Sequence, residues 1–316
     1  MNAMRITWFA PRKVSVMNLR QKIITLALFY SVLLSGNISA LEPAEKIPVF
    51  VSILPQAYFV EQIGGEYVTA LVLVGSGQSP ATYEPSPKQM SALAETPLYF
   101  RIGVPFERHL VGKIENTFRA LKIIDTREGV PLREIDGADG HGHDHDHAGG
   151  KDPHIWLSPR LVKIQAVNIC RALAEYDSVH ADSYYKNLEE FNARLDSVDA
   201  AIKEKLAPFR GSRFYAFHPS YGYFGDEYGL VQLAVEIEGK EPSARQLAAL
   251  IERARAEKVR VIFVQPQFAV KTAETVARAV SGRVVELDPL SKDYLDNLKY
   301  MSEELARALA EEGDKK

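Results

Sequence analysis

The stretch SYYKNLEEFNARLDSVDAAIKEKL, Ser183 to Leu206, decides how this chain is organised. Tyr184, Leu188, Phe191, Leu195, Val198, Ile202 and Leu206 recur at steps of four, three, four, three, four and four, which places one apolar stripe along an α-helix. From Arg160 to Arg210 there is no Gly and only one Pro, Pro208, so nothing interrupts that pattern. At 1.5 Å per residue the helix would run about 36 Å, long enough to reach across two packed units. A core helix within one lobe would show the same stripe. Its place between two runs of alternating strand and helix predicts a rigid strut instead.

Upstream, β-rich runs alternate with amphipathic segments: PVFVSI from Pro48, a helical segment to Ile63, YVTALVLV, a helix around Lys88 to Ala94, LYFRIG, a helix around Arg108 to Ala120, and KIIDT. Downstream the rhythm returns in RFYAF, LVQLAV, VRVIFV and RVVEL. Such alternation implies parallel sheets built from βαβ units. The predicted fold class is α/β, with two βα lobes, each around a mainly parallel sheet, joined by one long helix. The predicted division is a leader over 1–40, a first lobe over 41–178 containing a His-rich loop at 137–150, a linker helix over 179–208 and a second lobe over 209–316. Ser158-Pro159 supplies a helix cap and first-turn proline, and Ser243 with Gln246 makes a capping box.

Composition narrows the class of function. With 316 residues, 46% hydrophobic and 25% charged, the chain can bury two ordinary cores. A net charge of −3 gives no footprint for nucleic acid. Arg20 and Lys22 precede the apolar run IITLALFYSVLLS and the small residues GNISA, the order of a secretory signal peptide cleaved near Ala40. The run is short for a permanent membrane span. Met17 is an alternative start within that leader. Cys170 is the only cysteine, so no internal disulfide or thiolate zinc cluster can form, and no cysteine follows the apolar run to carry a lipid. The expected protein is a soluble periplasmic monomer, not membrane-embedded.

Four of the eight histidines, His141, His143, His145 and His147, lie in HGHDHDH. Two others have ligand-like settings: His154 in DPHIWLSP precedes a helix start, and His218 in AFHPSYGYF follows a strand directly. Asp288 in VVELDPL also follows a strand. Ligands of open α/β sheets bind outside the carboxyl ends of the strands, which is where His218 and Asp288 fall. Imidazole and carboxylate together suit Zn²⁺ or Mn²⁺. The same positions equally suit hydrogen-bonded loop and turn residues.

The ordered segments ATYEPSPKQM, RIGVPFE, DPHIWLSP, HPSYGYFGDEYGL, IEGKEPSARQL, FVQPQF and DPLSKDYLDNL resemble the ZnuA/TroA-like metal-binding receptors of bacterial ABC importers, from about Pro48 to Leu309. The resemblance implies a non-enzymatic receptor that holds Zn²⁺ or Mn²⁺ between its lobes and passes it to a metal permease in the inner membrane. It places metal ligands on His154, His218 and Asp288, and HGHDHDH where some members carry a His-rich insertion. One departure stands out. The family pattern PHxYEPSP reads here Pro80-Ala81-Thr82-Tyr83-Glu84-Pro85, with a methyl group where the first histidine belongs. Glu107 is the first candidate to replace it, with Glu84, His109 or a histidine of the run as the others. The run is expected to be flexible and to act as an accessory metal collector. A zinc buffer that serves no permease, a zinc hydrolase using an open water position, and a receptor retuned to another ligand remain as alternatives.

Overall fold

Apolar runs in this chain become strands, and the central ones are covered on both faces. A computed structural model of the protein describes Asn18 and residues 45–135, 151–236, 243–257, 259–268 and 270–313. The predicted leader and the HGHDHDH run lie outside the described residues. Strand β1 (Ile47–Ile53) buries Val49, Val51 and Ile53 completely, as a central parallel strand must. It pairs in parallel with β2 (Val68–Val74) and β3 (Leu98–Arg101), and β3 pairs with β4 (Lys122–Asp125), giving the order β2-β1-β3-β4.

The second sheet repeats the plan. Strands β5 (Arg213–Ala216), β6 (Val231–Ala234), β7 (Val261–Val264) and β8 (Arg283–Glu286) are all parallel and run in the order β6-β5-β7-β8. In each sheet the chain steps to one side of its first strand and then to the other. The crevice where that direction reverses, at the carboxyl ends of β1 and β3 or of β5 and β7, is the position such sheets use for ligands.

Helices α1 (Leu54–Gly64), α2 (Pro87–Ala94), α3 (Glu107–Ile114) and α4 (Pro159–Tyr176) belong with the first sheet. The Ser158 hydroxyl caps α4 by accepting from the Leu161 N–H, as the Ser-Pro signal predicts. Next comes α5 (Ala181–Leu206), whose stripe buries Tyr184, Phe191, Leu195, Val198, Ile202 and Leu206. With the second sheet lie α6 (Gly222–Tyr228), α7 (Ala244–Ala256), α8 (Val270–Ala279) and α9 (Tyr294–Gly313). Helix α5 packs on α1 and α4 of the first lobe and on α9 of the second, so it is a strut shared by both lobes.

One boundary differs from expectation. The helix predicted around Arg108 to Ala120 ends at Ile114, because the Thr117 N–H turns back to the Ile114 carbonyl and the Thr117 hydroxyl takes the Lys113 carbonyl. Side chains that satisfy the backbone locally compete with helix continuation in this way.

The segment leading into α4 is fastened to the second lobe. Trp156 Nε1 donates to the Pro289 carbonyl at 2.7 Å, and the Tyr294 hydroxyl donates to the Trp156 carbonyl at 2.6 Å. Buried aromatic groups with satisfied polar tips make such a joint both apolar and directional.

Candidate metal centre

The carboxyl edge of the second sheet collects polar side chains from all four of its strands. His218 follows β5, Glu236 follows β6, Gln265 and Gln267 follow β7, and Asp288 follows β8. The His218 backbone is held by Gln265, whose Oε1 accepts the His218 N–H at 3.1 Å while its Nε2 donates to the His218 carbonyl at 2.8 Å. The His218 ring stacks on Phe268 with centroids 5.0 Å apart, and its Nδ1 lies 2.5 Å from Glu236 Oε1. Glu236 is only 6% exposed. A carboxylate at that distance takes the ring proton on Nδ1 and leaves Nε2 as an acceptor.

From the first lobe, the turn Ile155–Leu157 sets His154 beside this edge. The His154 Nδ1 lies 2.7 Å from Asp152 Oδ1, an atom that also accepts the His154 N–H at 2.9 Å. Asp152 is fully buried. Burial holds the His154 ring below the usual imidazole pKa, against the opposing pull of Asp152. The ring is therefore neutral at pH 7, the form a metal binds.

The two rings stand 5.2 Å apart, centroid to centroid, at 71°. A tetrahedral Zn²⁺ with Zn–N near 2.0 Å would place the centres of two imidazoles about 5.2 Å from each other. The separation fits one shared metal ion.

The remaining candidates are placed differently. Asp288 Oδ1 accepts from Gln267 Nε2 and from the Leu290 N–H, both at 2.9 Å. Among the described residues no set of three or more His, Cys, Asp or Glu side chains is arranged to hold a metal, so Asp288 is not grouped with the two rings. Glu107 is 1% exposed and faces the interior, where it accepts from the Ser52 hydroxyl at 2.5 Å and from the N–H groups of Ile102 at 2.9 Å and Gly103 at 2.6 Å. Its carboxylate ties β1 to the turn after β3, and burial raises its pKa. Glu84 and His109 are exposed, on the loop after β2 and on the outer face of α3 respectively. Ala81 is exposed in that same loop. Residues His141, His143, His145 and His147 lie outside the described residues.

Sequence reasoning overlooked Glu236, Asp152 and Gln265. Glu236 directly follows a strand, the same signal that singles out Asp288, and Asp152 sits two residues before His154 in the DPH motif.

Two lobes of one topology with a strut between them are the architecture of the solute-binding class, and a pair of imidazoles stands at their junction. The profile of the periplasmic component A of zinc-uptake complexes, ZnuA, matches residues 49–308, and the chain belongs to that family. The high-affinity zinc uptake system protein ZnuA of Bacillus subtilis (strain 168) is 30% identical over 277 residues, covering 84% of this chain and 86% of its own. The zinc-binding lipoprotein AdcA of Streptococcus pneumoniae is 27% identical over 259 residues, 78% of this chain and 50% of its own. A crystal structure of ZnuA superposes with a TM-score of 0.78 at 38% identity, over 84% of this chain and all of the other. A second, of a zinc-bound ZnuA lacking residues 138–173 of its own numbering, gives 0.76 at 39% identity, over 84% of this chain and 98% of the other. These relatives are solute-binding and metal-transport proteins, not enzymes.

Proposed function

We propose that this protein binds Zn²⁺ between its lobes in the periplasm, as a monomer released from its leader, and delivers the ion to an ABC-type permease of the inner membrane. The observation that carries this reading is the His154 and His218 pair, 5.2 Å apart, with each Nδ1 engaged by a buried carboxylate and each Nε2 left to a ligand. Two nitrogen donors favour Zn²⁺ over Mn²⁺, which prefers oxygen. Asp288 is the third ligand in this reading. In this reading its carboxylate exchanges the Gln267 hydrogen bond for the metal. Water completes the tetrahedron in place of the missing histidine at Ala81. The HGHDHDH run is an accessory collector, its imidazoles raising the local ligand concentration near the site.

Calorimetry against a competing chelator tests the centre. One tight zinc site is expected, lost in both His154→Ala and His218→Ala and weakened as pH falls below about 6.5, where protons compete for imidazole. Affinity unchanged in both variants overturns the reading. Delivery is tested by capture of the zinc-loaded chain on its permease and by growth on limiting zinc after gene deletion. Normal growth together with no capture would favour a buffering role.

A further inference from the structure

Beside His154, one arginine links three things: the stem of the His-rich insertion, the second lobe and the carboxylate that holds the ligand ring. The stem closes by an antiparallel bridge between Glu134 and Lys151, and the Asp152 N–H donates to the Arg133 carbonyl at 2.9 Å. The Lys151 ammonium pairs with Glu134 across the same bridge. The stem then docks on α6. The Tyr223 hydroxyl accepts the Arg133 N–H at 3.0 Å and donates to the Asp152 carbonyl at 3.0 Å.

The Arg133 guanidinium extends from this stem to two carboxylates. Its Nε is 3.0 Å from Asp226 of α6, and its Nη1 is 3.5 Å from Asp152 Oδ2, the oxygen that does not face His154. A planar fork spans two acids in a way that a lysine cannot. The route passes directly over Gly222, where an added Cβ would stand 1.5 Å from Arg133 Nη1 and 2.9 Å from Asp152 Oδ2. Here glycine serves close approach. Asp152 has no exposed surface, and Arg133 is a cation within ion-pair distance of its second oxygen.

We propose that Arg133 is a positioning residue for His154, acting through Asp152, and that with Gly222 and Tyr223 it aims that ring only while the insertion stem is docked on the second lobe. The proposal rests on the reading of His154 as a zinc ligand. Outer partners of metal-bound histidines change affinity by about 10–100-fold, and Arg133 stands one bond further out. Arg133→Gln is expected to weaken zinc binding by about tenfold, at the lower end of that range.

The experiment uses the full mature chain. Zinc affinity is measured for Arg133→Gln, Asp152→Asn and the double variant, and the imidazole ¹⁵N signals are recorded on zinc-free protein. Action through Asp152 makes the pair non-additive: Arg133→Gln costs nothing more once Asp152→Asn is present. The His154 ring should shift from the Nδ1–H form toward a mixture of tautomers while the His218 ring keeps its signals. Additive losses, unchanged affinity in Arg133→Gln, or equal changes in both rings would each overturn the proposal. Tyr223→Phe and Gly222→Ala, which disturb the same stem without removing a charge, provide the same readouts if Arg133→Gln does not fold. His154→Ala separates the two ideas. If zinc binding survives it, the metal-centre reading fails, yet the zinc-free ¹⁵N signals still decide whether Arg133 aims the ring.

Discussion

The two sheets share one strand order and put their carboxyl edges to opposite uses. On the second sheet the edge presents His218, Glu236 and Asp288. On the first sheet the carboxylate Glu107 is turned inward and saturated by Ser52, Ile102 and Gly103, and the loop after β2 carries Ala81 where the family pattern has a histidine. The first lobe contributes its imidazole from outside its sheet, on the Asp152–Ser158 segment that is fastened to the other lobe. Topology places the crevice. The side chains that happen to face it decide whether it binds a ligand or braces the lobe.

His218→Ala should break the comparison most severely, with a loss of zinc affinity beyond the roughly hundredfold ceiling of outer-partner substitutions, read by competition calorimetry. Glu107→Ala should do the reverse. It leaves the N–H groups of Ile102 and Gly103 without the carboxylate that accepts from them and should cost about 3 kcal/mol in chemical denaturation while zinc affinity stays the same. A zinc defect in that variant would mean the first edge binds metal after all.

Glu236→Gln comes next. It keeps a hydrogen bond to His218 but removes the charge that supports its ring, and a loss of about tenfold in zinc affinity is expected from the same titration. Acidity then distinguishes the edges. Burial raises Glu107 above 4.5, so the folded protein holds that proton more tightly than the unfolded chain does. Stability from this group is therefore lost as pH rises from about 4.5 through the raised value. Denaturation at several pH values should show the wild type losing ground against Glu107→Gln over that window. The smallest effect is expected from Ala81→His. It returns an imidazole to the first edge and should tighten zinc binding by less than His218→Ala weakens it.

Most of the architecture was legible because it is written in local periodicity. The stripe from Tyr184 to Leu206 can be satisfied only by a helix, and the eight short apolar runs bounded by turns correspond to the eight strands among the described residues. The placement of His218 and Asp288 at the carboxyl edge of the second sheet was legible for the same reason, since a residue following a strand in such a sheet stands at the crevice. What escaped depends on contacts between distant segments. Glu236 reaches His218 only because β6 pairs beside β5, and the Arg133 route over Gly222 joins residues far apart in the chain. Glu107 shows the opposite failure. Its motif marks the correct loop, but whether its carboxylate turns toward the cleft or the core is set by Ser52 on β1, which the local sequence does not encode.

The Glu134–Lys151 bridge has an evolutionary consequence. Because the chain is pinched shut at those two residues, whatever lies between them can be lengthened, shortened or exchanged without changing the path of the backbone into His154. The bridge is a splice point, and the sequence it encloses is free to drift toward new chemistry while the receptor around it stays the same.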